Sequence, residues 1–240
     1  MKKLALMLVL LAVAGCANEP LPVAAVPSRA GAPQGIDIAI DSRDVSNELR
    51  SRRVDFVARY YRDPGSRWPA LSAGEAAMLS GAGMNIVAVW EYHSARPDYF
   101  SYQSGYADAI NAYRQARAVG QPPGSAIYFA VDYNAPDDDI HGPIDQYFRG
   151  VHAGLKSVGG NPYYRVGAYG SGAVCGYLKR MRLVQYAWLS NSSAWSGYDG
   201  FSDWNIKQGR GTGSFTFNHD WNQAREDYGG FQVKSQAAAL

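Results

Sequence analysis

Short apolar segments that alternate with helical segments constrain the fold of this chain more than any other feature. Each segment is bounded by glycine, proline or polar residues, which is typical of buried strands. Strands that alternate with helices form right-handed βαβ units and a parallel sheet. We therefore predict strands at 35–40, 54–61, 84–92, 125–132, 165–170 and 183–190, with 204–208 and 215–220 as candidates for the last two.

Helical segments separate these strands. Ser72 and Glu75 have the spacing of a capping box, and apolar periodicity with glycine stops predicts helices at 72–81, 104–119, 144–158 and 171–181. Eight strands within about 190 residues predict an α/β fold, a TIM-type (β/α)8 barrel with a parallel sheet and some later helices short or missing. An open doubly wound sheet is the alternative, although no Gly-x-Gly-x-x-Gly follows the first strand.

The start of the chain has the layout of a bacterial export signal. A basic beginning is followed by the apolar stretch 4–14, which is too short to span a bilayer as a mature helix. The tetrad Val-Ala-Gly-Cys at 13–16 resembles a lipobox, in which Cys16 is acylated and becomes the first mature residue; a plain signal peptide is the alternative. We therefore predict a lipoprotein signal peptide at 1–15, a flexible tether rich in Pro and Ala at 16–34, and one domain at 35–240.

This export signal also predicts where the domain works. It would face the bacterial cell envelope, attached to a membrane through the lipid on Cys16. Because Ala17 rather than Asp follows the cysteine, the resemblance to lipoproteins implies the outer membrane if the host is Gram-negative. No ATP or nicotinamide pool exists outside the cytoplasm, so we expect no cofactor, and we expect a monomer.

Charge and cysteine content exclude several kinds of partner. The chain has 23 Lys and Arg against 21 Asp and Glu, and removal of Lys2 and Lys3 leaves 21 against 21, so the exported part is formally neutral. It has no basic stripe with interleaved aromatic residues, which argues against nucleic acid. With Cys16 lipidated, Cys175 is the remaining cysteine, which excludes an intramolecular disulfide and argues against a cysteine-based metal site.

Aromatic residues are unusually frequent, with 17 Tyr and 6 Trp. Their rings combine an apolar face with a polar group, which suits the walls of a sugar-binding site. Those near predicted strand ends are candidates for stacking on sugars and bonding to their hydroxyls, and the alternative is that they pack in the barrel core. The candidates are Tyr60, Tyr128, Tyr169 and Trp188.

Carboxylates lie in or just after several otherwise apolar strands. Asp37 lies in the first predicted strand, Glu91 in the third, Asp132 ends the fourth and Asp220 ends the eighth. A TIM-type barrel builds its site at the C-terminal ends of its strands, so we expect these four at one rim. A buried carboxylate is unfavourable unless it is paired, hydrogen-bonded or protonated, and neighbouring carboxylates separate one another's pKa values, as glycoside hydrolysis requires. The alternative is that each acid caps a helix or binds a strand-end amide.

A series of short motifs follows in a fixed order along the predicted domain. This order resembles the glycoside-hydrolase-like TIM-barrel domain family, which is related to the family 25 glycoside hydrolases, the Chalaropsis-type lysozymes. The resemblance covers nearly all of 35–231. The motifs are GID at 35–37, ARYY at 58–61, IYFAVD at 127–132, VGAYGS at 166–171, WLS at 188–190, Gln208, and DWN at 220–222.

The resemblance implies an acidic cleft that receives peptidoglycan or a related polysaccharide. Asp37, Asp132 and Asp220 match acids of the lysozyme family, and Asn134 and Gln208 would join the substrate-binding residues. In that family the fourth strand carries Asp-x-Glu, whose Glu is the proton donor, but this chain has Asn134 at that position. An amide cannot protonate a leaving oxygen.

Glu91 is the candidate replacement for that proton donor. It lies between Trp90 and Tyr92, and an apolar wall would raise its pKa as a general acid requires. The alternative is that Glu91 pairs with Arg59 or another basic residue at the rim. His93 and His219 would lie near the same rim, but no His-x-x-x-His or similar ligand spacing is present, so we expect no metal.

Two functions from different classes follow from these residues. One is an exported, lipid-anchored glycoside hydrolase that acts on peptidoglycan or another amino-sugar polymer of the envelope. The other is a glycan-binding module that kept the cleft and lost turnover, because the expected donor is absent. An amidase or peptidase lacks a nucleophile or metal signature here.

Overall fold

The computed structural model describes residues 31–52, 54–159, 164–209 and 215–234. The predicted signal peptide, Cys16 and most of the predicted tether lie outside the described residues. Among the residues that are described, no helix has the length and apolar character needed to cross a membrane.

Eight strands form a closed barrel in which each strand pairs with the next and the last pairs with the first. The first seven run parallel to their neighbours, as the alternating pattern predicted. The α/β class and the closed barrel of eight strands are therefore confirmed. The strands are β1 (Gln34–Asp37), β2 (Phe56–Tyr61), β3 (Asn85–Trp90), β4 (Ala126–Ala130), β5 (Arg165–Gly170), β6 (Tyr186–Leu189), β7 (Ile206–Gly209) and β8 (Asp220–Ala224).

The direction of β8 corrects the expectation of a wholly parallel sheet. β8 runs antiparallel to both β7 and β1, with Asp220 opposite Asp37. The prediction of the last strand at 215–220 was also wrong, because β8 begins at Asp220 instead of ending there. Since β8 is reversed, its first residue lies at the end of the barrel where the other seven strands terminate.

Helices cover the outside of the barrel, and the predicted ones at 72–81, 104–119, 144–158 and 171–181 all occur with small differences in their bounds. Ser72 caps its helix by accepting from the backbone N–H of Glu75. No helix lies between β6 and β7, where every residue is described. The helices are α1 (Ser46–Arg52), α2 (Ala73–Gly81), α3 (Tyr102–Val119), α4 (Asp137–Asp139), α5 (Asp145–Gly159) and α6 (Gly172–Arg180), with a π-helical stretch (Ile140–Ile144) that joins α4 to α5.

The apolar core has two layers. One lies between the barrel and the helices, and the other fills the barrel interior with side chains of alternate strand residues. On β2, Val57 and Tyr61 belong to the outer layer, whereas Phe56 and Ala58 belong to the inner one. Cys175 is fully buried, and burial raises the pKa of its thiol to about 12, which makes it unreactive.

A C-terminal segment closes one end of the barrel. The backbone N–H of Ala126 at the start of β4 donates to the carbonyl of Gly229, and Phe231 pairs with Ile86 on β3. Gly229 has φ of +70°, and a Cβ there would lie 2.4 Å from the Cβ of Ala126, so the close approach requires glycine. The candidate site is therefore at the opposite end, where the strands β1–β7 terminate.

Candidate active site at the open rim

The four predicted carboxylates are placed at the open end of the barrel by strand direction. Asp37 is the last residue of β1, and Glu91 and Asp132 follow the ends of β3 and β4. Asp220 is the first residue of β8 and the cross-strand partner of Asp37. The reversed β8 thus delivers its acid to the same rim as the parallel strands.

The polar residues of the rim continue the inward rows of the strands. Side chains of a strand alternate between its two faces, so a residue two positions beyond an inward apolar residue lies on the same, inward face. The barrel interior is apolar in its middle and becomes polar at the rim. Each pair of an interior residue and the rim residue two positions later lies on this face: Ala58 and Tyr60, Val89 and Glu91, Ala130 and Asp132, Gly167 and Tyr169, and Ile206 and Gln208.

Asp37 is held by neutral donors. It is buried, its Oδ1 accepts from the Tyr60 hydroxyl at 3.2 Å, and its Oδ2 accepts from Gln208 Nε2 at 3.2 Å and from Asn222 Nδ2 at 2.7 Å. Burial raises the pKa of Asp37 to about 7, and the nearby charge of Asp220 adds to the rise while the three hydrogen bonds oppose it. Near neutral pH this carboxyl is therefore present in both its protonated and its charged form.

Glu91 and Asp132 are electrostatically coupled. Burial raises the pKa of Glu91, and the negative charge of Asp132 raises it further, whereas Arg62 and a hydrogen bond from Ser94 lower it. Burial also raises the pKa of Asp132, with a contribution from Asp220. A carboxyl whose pKa is raised by burial and a neighbouring acid can hold the proton that a general acid donates.

Tyr169 and Trp188 support these acids from inside the barrel. The Tyr169 hydroxyl lies 3.1 Å from Gln208 Oε1, to which it donates, and its ring packs edge-on against Trp188 at 5.2 Å between centroids. Trp188 is buried, and its Nε1 donates to Asn222 Oδ1 at 2.8 Å. Since Gln208 and Asn222 both donate to Asp37, these aromatic residues orient the amides that hold the acid.

Tyr128 does not lie at the rim. Its side chain is completely buried, and its hydroxyl donates to the backbone carbonyl of Tyr228 in the segment that closes the other end of the barrel. A Cβ at Gly167 would lie 2.6 Å from its ring, so glycine makes room for it. The expectation that Tyr128 binds substrate is therefore corrected: it fills the barrel interior.

Asn134 occupies the loop after β4 and is exposed. Its Oδ1 accepts from the backbone N–H of Ser196 at 2.8 Å, which joins this loop to the one between β6 and β7. The residue at the donor position of the lysozyme pattern is thus engaged in a contact between two loops of the rim.

Arg59, one of the alternative partners suggested for Glu91, does not pair with it. Arg59 is fully buried and pairs instead with Glu75, Nε to Oε1 at 2.5 Å. The cation that acts on Glu91 is Arg62, whose guanidinium lies 4.0 Å from the centroid of the Tyr60 ring. Arg59 belongs to the outer face of β2, so it cannot neutralise an acid of the rim.

His93 and His219 do not form a metal cluster with these acids. Within the described ranges, no group of three or more His, Cys, Asp or Glu side chains is placed to hold a metal ion. His219 packs against Phe215 and Trp221, and His93 packs against Tyr92.

Sequence reasoning missed Asn222, Arg62 and Ser94 as residues of this site. Asn222 is buried and makes the shortest hydrogen bond to Asp37. The available signal was a polar side chain in the short motif Asp-Trp-Asn at 220–222, which resembles a loop in sequence.

A family profile and two curated proteins match the sequence of this chain. A sequence profile described as "Rv2525c-like, glycoside hydrolase-like domain" matches residues 47–238. The uncharacterized protein FadG of Bacillus subtilis is 27% identical over 207 residues, which are 79% of this chain and 36% of FadG. The chain thus spans about a third of the length of the curated relatives it matches.

Solved structures share the barrel. The Tat-secreted protein Rv2525c of Mycobacterium tuberculosis, in complex with L-tartrate, matches with a TM-score of 0.69 and 22% identity, covering 83% of this chain and 99% of Rv2525c. The modular autolysin LytC of Streptococcus pneumoniae, in complex with a synthetic peptidoglycan ligand, matches with a TM-score of 0.50 and 16% identity, covering 82% of this chain and 47% of LytC. At these identities the likeness concerns the fold.

Proposed function

The chain belongs to the Rv2525c-like glycoside hydrolase-like family, and from that membership and its acidic rim we propose that it acts on peptidoglycan or a related polysaccharide of the cell envelope. The placement of Asp37, Glu91, Asp132 and Asp220 at the open rim, with the pKa values of the first three raised by burial, is the observation that carries this proposal. The synthetic peptidoglycan bound by LytC supports the choice of glycan.

In the proposed reaction Glu91 is the general acid that protonates the leaving oxygen. Asp132 stabilises the positive charge that develops on the sugar ring or orients its 2-acetamido group. Asp37 and Asp220 bind sugar hydroxyls and tune the pKa values of the other acids. Gln208, Tyr60 and Tyr169 line the rim beside them and can contact the glycan.

Replacement of Glu91 by Gln tests the acid. General acid catalysis contributes about 10²–10⁴-fold, so Glu91→Gln is expected to lose most turnover while the nearly isosteric amide leaves glycan binding intact. Soluble muropeptides and new reducing ends released from isolated sacculi measure turnover, and sedimentation with sacculi measures binding. Glu226→Gln, at an exposed position after β8, is the matched control. Equal turnover in Glu91→Gln and wild type would remove Glu91 from the mechanism.

The second candidate is a glycan-binding module with a hydrolase fold. Asn134 favours it, because this amide replaces the expected proton donor and is engaged by Ser196. In this case the wild type binds sacculi without cleaving them at any pH. Asn134→Glu restores the Asp-x-Glu pattern after β4, and cleavage by that variant alone would identify a binding derivative of a hydrolase.

Export and lipid anchoring through Cys16 complete the proposal, with the domain working as a monomer at the cell envelope. The lipobox-like tetrad supports it, and the related Rv2525c is described as Tat-secreted. Replacement of Cys16 by Ser should move the protein from the detergent phase to the aqueous phase in a phase-partition experiment. Retention of the variant in the detergent phase would contradict lipidation.

A further inference from the structure

A groove of about 410 Å³ lies beside the acidic rim, between the loop that follows β2 and the helices α2 and α3. The loop leaves the end of β2 at the rim and returns at Leu71, whose N–H donates to the carbonyl of Tyr60. The four acids of the rim are not part of the lining, so the groove is a separate feature. Its lining includes Arg62, Asp63, Ser66, Trp68, Leu71 and Gln115.

Trp68 gives the groove an aromatic surface. Its side chain is 48% exposed, more than any other large apolar side chain in the described part of the chain. An exposed indole leaves apolar area in water, which a sugar face can cover. Arg67 lies 5.7 Å from the centroid of the ring.

Arg62 gives the groove a cation that is held in place. Its backbone N–H donates to Gln115 Oε1 at 2.9 Å, and its carbonyl accepts from Gln115 Nε2 at 2.6 Å. The guanidinium lies against the Tyr60 ring at 4.0 Å from the centroid. The backbone contacts therefore fix the position of the residue, and the ring contact orients a side chain that is otherwise flexible.

Within the described part of the chain, no residue uses the donors of this guanidinium. Among the described residues no carboxylate forms an ion pair with Arg62, and its Nε is buried without a hydrogen-bond partner. Asp63, the acid that also lines the groove, accepts from the N–H of Gly65 instead. A partly buried, oriented guanidinium with free donors matches the geometry of a carboxylate ligand.

Arg62 is also the connection between the groove and the rim. The ring it covers belongs to Tyr60, whose hydroxyl donates to Asp37, and its charge acts on Glu91. A glycan that lies over the acids can therefore extend across Arg62 to Trp68.

We propose that this groove is a binding subsite for a carboxylate-bearing sugar of the glycan, with the carboxylate on Arg62 and the sugar face on Trp68. This subsite rests on the proposed function, because it would hold another part of the same polysaccharide. It gives the site a preference for acidic over neutral amino-sugar chains.

Two probes that differ in carboxylates test this preference. The peptide-free tetrasaccharide of peptidoglycan carries lactyl carboxylates, and chitotetraose has a related amino-sugar backbone without them. Isothermal titration is expected to show that Arg62→Gln weakens binding of the acidic tetrasaccharide by about 10- to 100-fold, because a charged hydrogen-bonded contact is lost, with chitotetraose unaffected. Trp68→Ala should weaken both. Arg114→Gln, at an exposed position on α3 and outside the lining, is the control and should change neither.

The outcomes separate this proposal from the function on which it rests. If the wild type binds neither probe, the proposed function fails and the subsite with it. If the wild type binds both equally and Arg62→Gln changes neither affinity, the subsite is wrong and the proposed function stands. Equal weakening of both probes by Arg62→Gln, at an unchanged melting temperature, would also reject carboxylate recognition.

Discussion

Two buried carboxylates near the second strand have opposite environments. Glu75 lies on the outer side of the barrel, completely buried, where it accepts from Arg59 and from the N–H and hydroxyl of Ser42. Asp37 lies inside the barrel at the rim, where it accepts from Tyr60, Gln208 and Asn222. Consecutive residues of β2 serve different acids, Arg59 with two donors to Glu75 and Tyr60 with one to Asp37, because side chains alternate across a strand.

The difference concerns charge rather than the number of hydrogen bonds. Glu75 receives a cation, which makes it a structural anchor for the loop after β1 and for α2. Asp37 receives neutral donors. Burial, together with the nearby charge of Asp220, therefore raises its pKa to about 7. A buried acid without a cation is unfavourable for folding in its charged form, and such groups occur at functional sites.

The largest expected effect comes from breaking the structural pair. Arg59→Met should lower the free energy of unfolding by about 3–5 kcal/mol, because Glu75 remains buried without its cation. Urea unfolding monitored by tryptophan fluorescence measures the change. Arg43→Met is the control, since that arginine forms an exposed pair with Asp41 and such pairs contribute little. A midpoint for Arg59→Met close to wild type would show that Glu75 does not depend on the cation.

Replacement of Asp37 should have the opposite effect on the free energy of unfolding. Asp37→Asn should stabilise the protein by roughly 2–4 kcal/mol above pH 7 and have little effect below about pH 4. The asparagine oxygen can accept from Gln208 and Asn222, and its amide can donate to the Tyr60 hydroxyl. Urea unfolding at pH 4 and pH 8 gives both values, and binding or cleavage of sacculi should be impaired in the same variant.

The direction of this stability change follows from which state, folded or unfolded, binds the proton of Asp37 more tightly. The pKa of Asp37 is raised from its ordinary value of 3.8 to about 7, so the folded state keeps its proton at a pH where the unfolded state has lost it. The stability that this proton contributes is complete below pH 3.8 and is lost as the pH rises through about 7. Destabilisation by Asp37→Asn at pH 8 would mean that the rim stabilises the charged form.

A smaller effect is expected at the amide that links the site to the core. Asn222→Ala should destabilise the protein by about 1–3 kcal/mol, because the buried Nε1–H of Trp188 loses its acceptor. It should also raise the pKa of Asp37 further, because a donor to its carboxylate is removed. Urea unfolding and a carboxyl NMR titration measure the two changes. Gln223→Ala, the exposed neighbour on β8, should change neither, and a similar loss in that variant would indicate a general weakening of β8.

The strands that carry an apolar row could be predicted from the sequence. β5 was predicted at its observed bounds, 165–170, and the other parallel strands were found within a few residues. Burial on both faces makes these segments continuously apolar. Since the C-terminal ends of parallel strands share one rim, Asp37, Glu91 and Asp132 could be grouped from strand order alone.

β8 could not be predicted in this way. Its residues 220–224 read Asp-Trp-Asn-Gln-Ala, a polar run without apolar alternation. Its inward residue Asn222 is polar because it serves Asp37, and its direction depends on the two neighbouring strands. The acid at 220 was therefore assigned to the rim although the strand was misplaced. Likewise, the partner of Arg59 depends on α2 packing beneath β2, which no local pattern encodes.

A third buried acid, Asp108, tests whether burial among neutral donors is enough to mark a functional site. Asp108 on α3 is also buried, accepts from the hydroxyls of Tyr99 and Tyr147 at 2.7 Å and 2.6 Å, and has its pKa raised by burial to about 6, but it lies outside the barrel. Asp108→Asn should therefore stabilise the protein above pH 6 by less than Asp37→Asn does, roughly 1–2 kcal/mol, and leave sugar binding and cleavage unchanged. Urea unfolding at pH 4 and pH 8 beside sacculus binding measures both. If Asp108→Asn impaired binding as Asp37→Asn does, the loop held by Tyr99, which follows Glu91 in the chain, would belong to the site. If only Asp37→Asn does so, position at the open rim distinguishes the functional acid from a buried one.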